Sequence, residues 1–219
     1  MKSWLFLLSF FLIFTACKEE TFKKASPFER LMSGNKRFMA GHPVHPDETL
    51  QRIRDLKKGQ NPFAIIIGCS DSRVPPELIF DQGLGDIFSI RTAGNIIGDY
   101  ELGSIEYATE HLGCKFIVVL GHENCGAIKA FIENPNTLNQ HDHIKNIIEY
   151  IKDEMEEKSL SEIDKHQVDK AVRANIMHGV HLLQNSEPIL KTLIDKKEVA
   201  VVGAYYDFDT GQVHILDEK

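Results

Sequence analysis

The chain has 219 residues, 42% of them hydrophobic and 26% charged, with a formal net charge of -7. That size and composition suit a globular domain with a sizeable core. The acidic balance and the lack of any lysine- or arginine-rich block argue against a nucleic-acid partner.

The chain opens with "MKSWLFLLSFFLIFTAC". Lys2, an apolar run from Trp4 to Phe14 and small residues at Thr15 and Ala16 have the layout of a signal peptide, and the run is short for a bilayer span. Cys17 follows, and the segment resembles a bacterial lipobox. Residues 1–16 are therefore expected to be a signal peptide, with Cys17 lipidated; ordinary cleavage and an uncleaved anchor are the alternatives. Residues 17–26 then form a polar tether, in which Lys18-Glu19-Glu20 is either a solvated segment or an export tag. The expected location is exported, lipid-anchored to a bacterial membrane, periplasmic or at the outer-membrane surface. Residues 27–219 are the expected folded domain.

Pro27 to Ala40 has Phe28, Leu31, Met32 and Phe38 at helical spacing, an amphipathic helix interrupted near Gly34. A proline-bearing loop and a helical turn at Gln51–Lys58 come next. Pro62–Gly68 reads as a buried strand, with Gly68 letting the chain turn at its end. Pro75 and Pro76 open a short helix. Asp86–Arg91 is the next strand, followed by a helix at Tyr100–Leu112 with Leu102, Ile105, Tyr107, Ala108 and Leu112 on its buried side. Lys115–Leu120 is a third apolar strand, and Cys125–Ile132 is helical. The region from His143 to Asp195 is largely helical. Ser159 and Glu162 have capping-box spacing, and Val168, Val172, Ile176, Val180 and Leu183 form one apolar stripe. Val199–Leu216 makes two strands around a turn at Asp209-Thr210-Gly211. Short apolar strands between helices predict an α/β fold: a central, mostly parallel β-sheet flanked by helices, with an N-terminal helical arm and a C-terminal β-hairpin.

Two strands end in polar motifs, "GCSDSR" and "GHENCG". Ligand sites in parallel sheets collect at the carboxyl ends of strands. Cys69, His122 and Cys125 can therefore meet at one point. Two thiolates and an imidazole suit zinc, and three protein ligands leave a fourth position for chemistry. With Cys17 set aside, three cysteines remain, an odd number for a disulfide framework. A Cys69–Cys125 disulfide would also leave Asp71, Arg73 and His122 without a role. Asp71 and Arg73 can pair, the guanidinium holding the carboxylate ionised and aimed at a water on the metal. Zinc lowers the pKa of bound water to about 7. The residues alone therefore point to hydration or hydrolysis of a small electrophile.

"CSDSR" followed by "GHENCGA" resembles the β-class carbonic anhydrases. So do "LMSGNKRF", "IFDQGLGDIFSIRTAGN", "GSIEYATEHLG" and "VVGAYYDFDTGQV", in the same order. The resemblance implies one zinc ion per subunit on Cys69, His122 and Cys125, with an Asp71–Arg73 dyad. It implies reversible hydration of carbon dioxide to bicarbonate and a proton, by attack of a zinc-bound hydroxide. It further implies a homodimer or higher homo-oligomer, with Gln82 lining the neighbouring subunit's cleft and the Gly126 N–H offered to an anion. Some members carry a regulatory bicarbonate pocket built on a tryptophan, and Ile66 stands at that position here. Arg91 matches the arginine of the same pocket and is read as anion-binding or structural. Glu123 either faces solvent or disfavours bicarbonate near the zinc. Two other readings stay open: hydrolysis of carbonyl sulfide or carbon disulfide on the same scaffold, and a non-catalytic zinc-binding surface lipoprotein.

The remaining candidates read as structural or solvated. Cys114 is expected to be a small core residue. His178 and His181 lie three apart on a helix and lack an evident third ligand. His141 and His143 flank Asp142 in a polar stretch, read as a solvated loop in preference to a proton shuttle, and His42 and His45, beside prolines in a loop, are read the same way.

Overall fold

A computed structural model describes residues 25–133, 143–154 and 168–216. The expected lipidation at Cys17, the expected signal peptide, His141 and the Ser159–Glu162 capping spacing lie outside the described residues. Helix α1 spans Pro27–Met39 and starts on a capping box. Glu29 N–H donates to Ser26 Oγ, and Ser26 N–H donates to Glu29 Oε2 at 2.8 Å, which satisfies two amides at the helix start.

The expected interruption at Gly34 is absent, and α1 runs straight through it. Gly34 is a contact point instead: a Cβ there would lie 1.7 Å from the Phe80 carbonyl oxygen. The next residue, Asn35, is buried and donates from Nδ2 to the carbonyls of Ile79 and Gly211, while its Oδ1 accepts the Val213 N–H. Glycine and asparagine together seat the helix on the rest of the molecule.

The other elements follow in order. They are α2 (Leu50–Leu56), β1 (Ala64–Cys69), α3 (Pro76–Ile79) and β2 (Ile87–Thr92), then a 3-10 turn at Ala93–Asn95. Next come α4 (Asp99–Glu110), β3 (Phe116–His122), α5 (Gly126–Glu133) and α6 (His143–Glu154). The chain then forms α7 (Val168–Asn185), α8 (Ile189–Asp195), β4 (Ala200–Tyr206) and β5 (Val213–Leu216).

The strands make a five-stranded sheet in the order β2-β1-β3-β4-β5. The first four are parallel and β5 returns antiparallel to β4. The α/β architecture is the one predicted. All residues of β1 and β3 are buried, as befits central strands covered on both faces. This explains their unbroken apolar runs. The stripe on α7 packs over β3 and β4 at two glycines. Cβ atoms at Gly121 and Gly203 would meet the Ile176 side chain at 2.6 and 2.9 Å.

Two local expectations change. Gly68 makes no turn, because β1 continues through Cys69 with Gly68 paired to Arg91. On α4 the buried residues are Ile105, Ala108 and Thr109. Tyr107 is half exposed and stacks on the His111 ring, with centroids 5.3 Å apart. Thr109 can be buried because its hydroxyl donates to the Ile105 carbonyl, 2.8 Å away. Among the described residues no helix is long and apolar enough to cross a membrane.

Candidate metal centre

The sheet order places β1 beside β3, and both end at one edge. Cys69 is the last residue of β1 and His122 the last of β3. After His122 the chain doubles back through Asn124, whose φ is 50°, a left-handed position that asparagine tolerates better than most residues. Cys125 then stands immediately before α5, and its carbonyl accepts the Lys129 N–H at 2.9 Å. Its sulfur lies against the amides of Ala127 and Ile128, which favour a thiolate.

The ligand atoms of Cys69, His122 and Cys125 lie within 4.8 Å of one another, and all three residues are buried. Among the described residues no other group of three potential ligands converges. His178 and His181 on α7 are part of no such group. Cys69, Cys114 and Cys125 are free thiols, so no disulfide occupies this position.

The donors fit a thiophilic dication. His122 Nδ1 lies 2.8 Å from the Glu123 carbonyl. That contact assigns the ring proton to Nδ1, which donates, and turns the Nε2 lone pair inward. Nε2 is buried and has no hydrogen-bond partner. Such an orphaned acceptor needs a reason, and a metal supplies one. The Cys69 sulfur accepts N–H groups from Asp71 and Gly94 at 3.5 and 3.4 Å. A hydrogen bond from Cys125, with those amides, lowers the Cys69 thiol to about 4 despite burial. The same contact and burial push Cys125 up.

Beside this cluster Arg73 locks Asp71 in a two-pronged ion pair. Arg73 Nε and Nη2 donate to Asp71 Oδ1 and Oδ2 at 2.9 and 2.7 Å, and the Arg73 amide adds a third bond to Oδ1 at 2.9 Å. These bonds hold the Asp71 carboxyl down at about 2. Its Oδ2 lies 3.9 Å from His122 Nε2, within reach of a small group bound at the cluster.

Arg91 resolves to a structural role. Its Nε and Nη2 donate to the carbonyls of Cys69 and Asp71 at 3.0 and 2.6 Å, so it clamps the loop that carries both residues. Glu123 is partly buried, and it has a structural contact: its Oε2 accepts the Phe208 N–H at 3.0 Å. Cys114 is a core residue at 1% exposure, and burial raises its thiol to about 11. Gly126 opens α5 at the surface, with nothing within 4 Å of where a Cβ would sit. Gln82 lines a cavity of about 310 Å³ with Glu48, Glu77 and Leu84, and its Nε2 donates to the Phe80 carbonyl.

Sequence reasoning missed three supports: the Arg91 clamp, the Gly94 amide and Phe208. Gly94 carried a signal in principle. Its φ is 70° and a Cβ would lie 3.0 Å from Ala127, so only glycine fits there comfortably. Asn175 on α7 holds this turn by donating to the Gly94 carbonyl at 2.9 Å.

The fold and donors define a candidate Cys-His-Cys metal centre at the carboxyl edge of a parallel sheet. A family profile described as "Carbonic anhydrase" matches residues 64–213. Carbonic anhydrase 2 of Mycobacterium tuberculosis is 37% identical over 195 residues, covering 87% of this chain and 91% of that protein. Among solved structures, the beta-carbonic anhydrase CcaA superposes with a TM-score of 0.70 at 28% identity, covering 88% of this chain and 96% of that one. A tetrameric beta-carbonic anhydrase of the ascomycete Sordaria macrospora gives 0.67 at 26% identity, covering 87% and 97%. The chain belongs to the carbonic anhydrase family, in its β class.

Proposed function

We propose that the chain catalyses the reversible hydration of carbon dioxide to bicarbonate and a proton, with one zinc ion held by Cys69, His122 and Cys125. The observation that carries this is the buried, partnerless His122 Nε2 facing two buried thiols, with an ionised aspartate 3.9 Å away. Zinc held there supplies a water acidified to near neutrality, and so a nucleophile at physiological pH.

The chain's residues do the rest. His122 is held in one tautomer by the Glu123 carbonyl. The Gly94 and Asp71 amides stabilise negative charge on Cys69. Asp71, ionised throughout the neutral range, can only accept a hydrogen bond. With both its oxygens engaged by Arg73, it is fixed in direction, and Oδ2 keeps a lone pair for the O–H of the attacking group. That contact turns the nucleophile's free lone pair toward carbon dioxide. In the reverse direction it admits bicarbonate through its O–H.

The assembly is proposed to be a homo-oligomer, supported by the tetrameric relative and by exposed Leu50, Leu78 and Leu84 on this monomer. Cys17 is proposed to carry the lipid that anchors it, on the strength of the N-terminal sequence. The activity is tested by comparing turnover of carbon dioxide and carbonyl sulfide by wild type and Asp71→Ala. Carbon dioxide should be preferred, and the variant should lose about 10–100-fold in rate while keeping its zinc. Preference for carbonyl sulfide, or an unaffected variant, contradicts the proposal.

A further inference from the structure

The Asp71–Arg73 pair poses a problem of rigidity. The Arg73 side chain is 53% exposed. Exposed arginine pairs are weak because water competes and a long side chain loses rotamer freedom. Yet the proposed chemistry needs Asp71 aimed in one direction. Arg73 must be held by more than the carboxylate it is meant to hold.

Phe208 meets that need. The Arg73 guanidinium carbon lies 4.3 Å above the centre of the Phe208 ring, a cation–π distance. Phe208 belongs to the turn between β4 and β5, far along the chain from the CSDSR loop. Its ring is held on two further sides: the His122 ring packs edge-on at 5.5 Å and the Tyr206 ring at 5.4 Å. Its backbone is held as well. The Phe208 N–H donates to Glu123 Oε2, and the Glu123 N–H donates to the Tyr206 carbonyl at 2.9 Å. One aromatic ring thus joins the hairpin, His122 and the guanidinium.

We propose that Phe208 is a positioning residue: its ring is the platform that fixes Arg73, and through it Asp71, with Glu123 anchoring the turn that carries the ring. This rests on the carbon dioxide reading above. An aliphatic side chain could fill the space against His122 and Tyr206, but it has no π face to offer a cation. Tryptophan does, and offers a stronger one.

The test is a double-mutant cycle on the zinc-loaded enzyme with Phe208→Leu, Phe208→Trp, Arg73→Gln and the Phe208→Leu/Arg73→Gln double variant. Phe208→Leu should lower kcat by about three- to tenfold, with KM and zinc content unchanged. Phe208→Trp should stay within about twofold of wild type. The double variant should be no slower than Arg73→Gln alone, since Phe208 acts through that arginine. The same coupling should appear, without activity, as non-additive unfolding stability in the metal-free proteins. If Phe208→Leu folds poorly, Glu123→Ala frees the anchor while keeping the ring, and it should give the same loss of kcat. Wild-type rates in the leucine variant, fully additive losses, or a tryptophan variant as slow as the leucine one would overturn the inference. An inactive wild type carrying zinc would instead overturn the carbon dioxide reading.

Discussion

Asp71 and Asp81 are both fixed by an arginine, but only one of them could be read from the sequence. Asp71 and Arg73 sit two apart on a strand-end loop, so their pairing is a local geometric expectation. Asp81 meets Arg37 from the far side of the chain, and no spacing announces it. Burial pushes the Asp81 carboxyl up, but the Val44 and His45 amides and the Arg37 guanidinium outweigh it and leave the pKa lowered. A carboxylate with a depressed folded pKa stabilises the fold above its ordinary value of about 3.9, and that contribution is lost as pH falls through the folded value. Asp81→Asn should therefore be less stable than wild type at pH 7, and the gap should narrow as pH falls from about 5 to about 3. Denaturant unfolding across that range checks it, and a gap that stays constant contradicts it. The candidate metal ligands were legible because residue type and strand-end placement both constrain them. Phe208 was not, because an aromatic in a hairpin turn carries no sign of what its face will meet.

At the scale of elements, periodicity located the strands and most helices to within a few residues. It failed where a contact from another part of the chain decides. The α1 glycine was read as a break because glycine weakens helices. In the fold it is the point where the helix touches the Phe80 carbonyl. The two views predict opposite signs. On helix propensity Gly34→Ala should stabilise by about 1 kcal/mol. On the contact, a Cβ 1.7 Å from a carbonyl oxygen forces α1 off its seat and should destabilise by about 1–3 kcal/mol or more. A melting temperature lower than wild type supports the contact, and a higher one supports propensity. Tyr107 failed for a local reason: its helical position suited burial, but Thr109 is buried instead, with its hydroxyl satisfied within the helix.

At the scale of the molecule, topology turns dispersed motifs into one site. Placing β1 beside β3 brings Cys69 to His122, and placing β4 next to β3 sets Tyr206 opposite His122. The β4–β5 return then delivers Phe208 to the same edge. The alternation of strands and helices made the first of these placements predictable, since adjacent parallel strands share a carboxyl edge. The hairpin's part in the site depends on register and side-chain reach, which alternation does not encode. All of it serves one claim: that a zinc ion on Cys69, His122 and Cys125 makes this chain a carbon dioxide hydratase. The most direct measurement is stopped-flow carbon dioxide hydration by the purified chain, stripped of metal with a chelator and titrated with zinc. The rate should be negligible in the stripped protein and rise linearly to a plateau at about one zinc per chain. Stoichiometric zinc with no hydration between about pH 7 and pH 9, or full activity in the stripped protein, would contradict the claim.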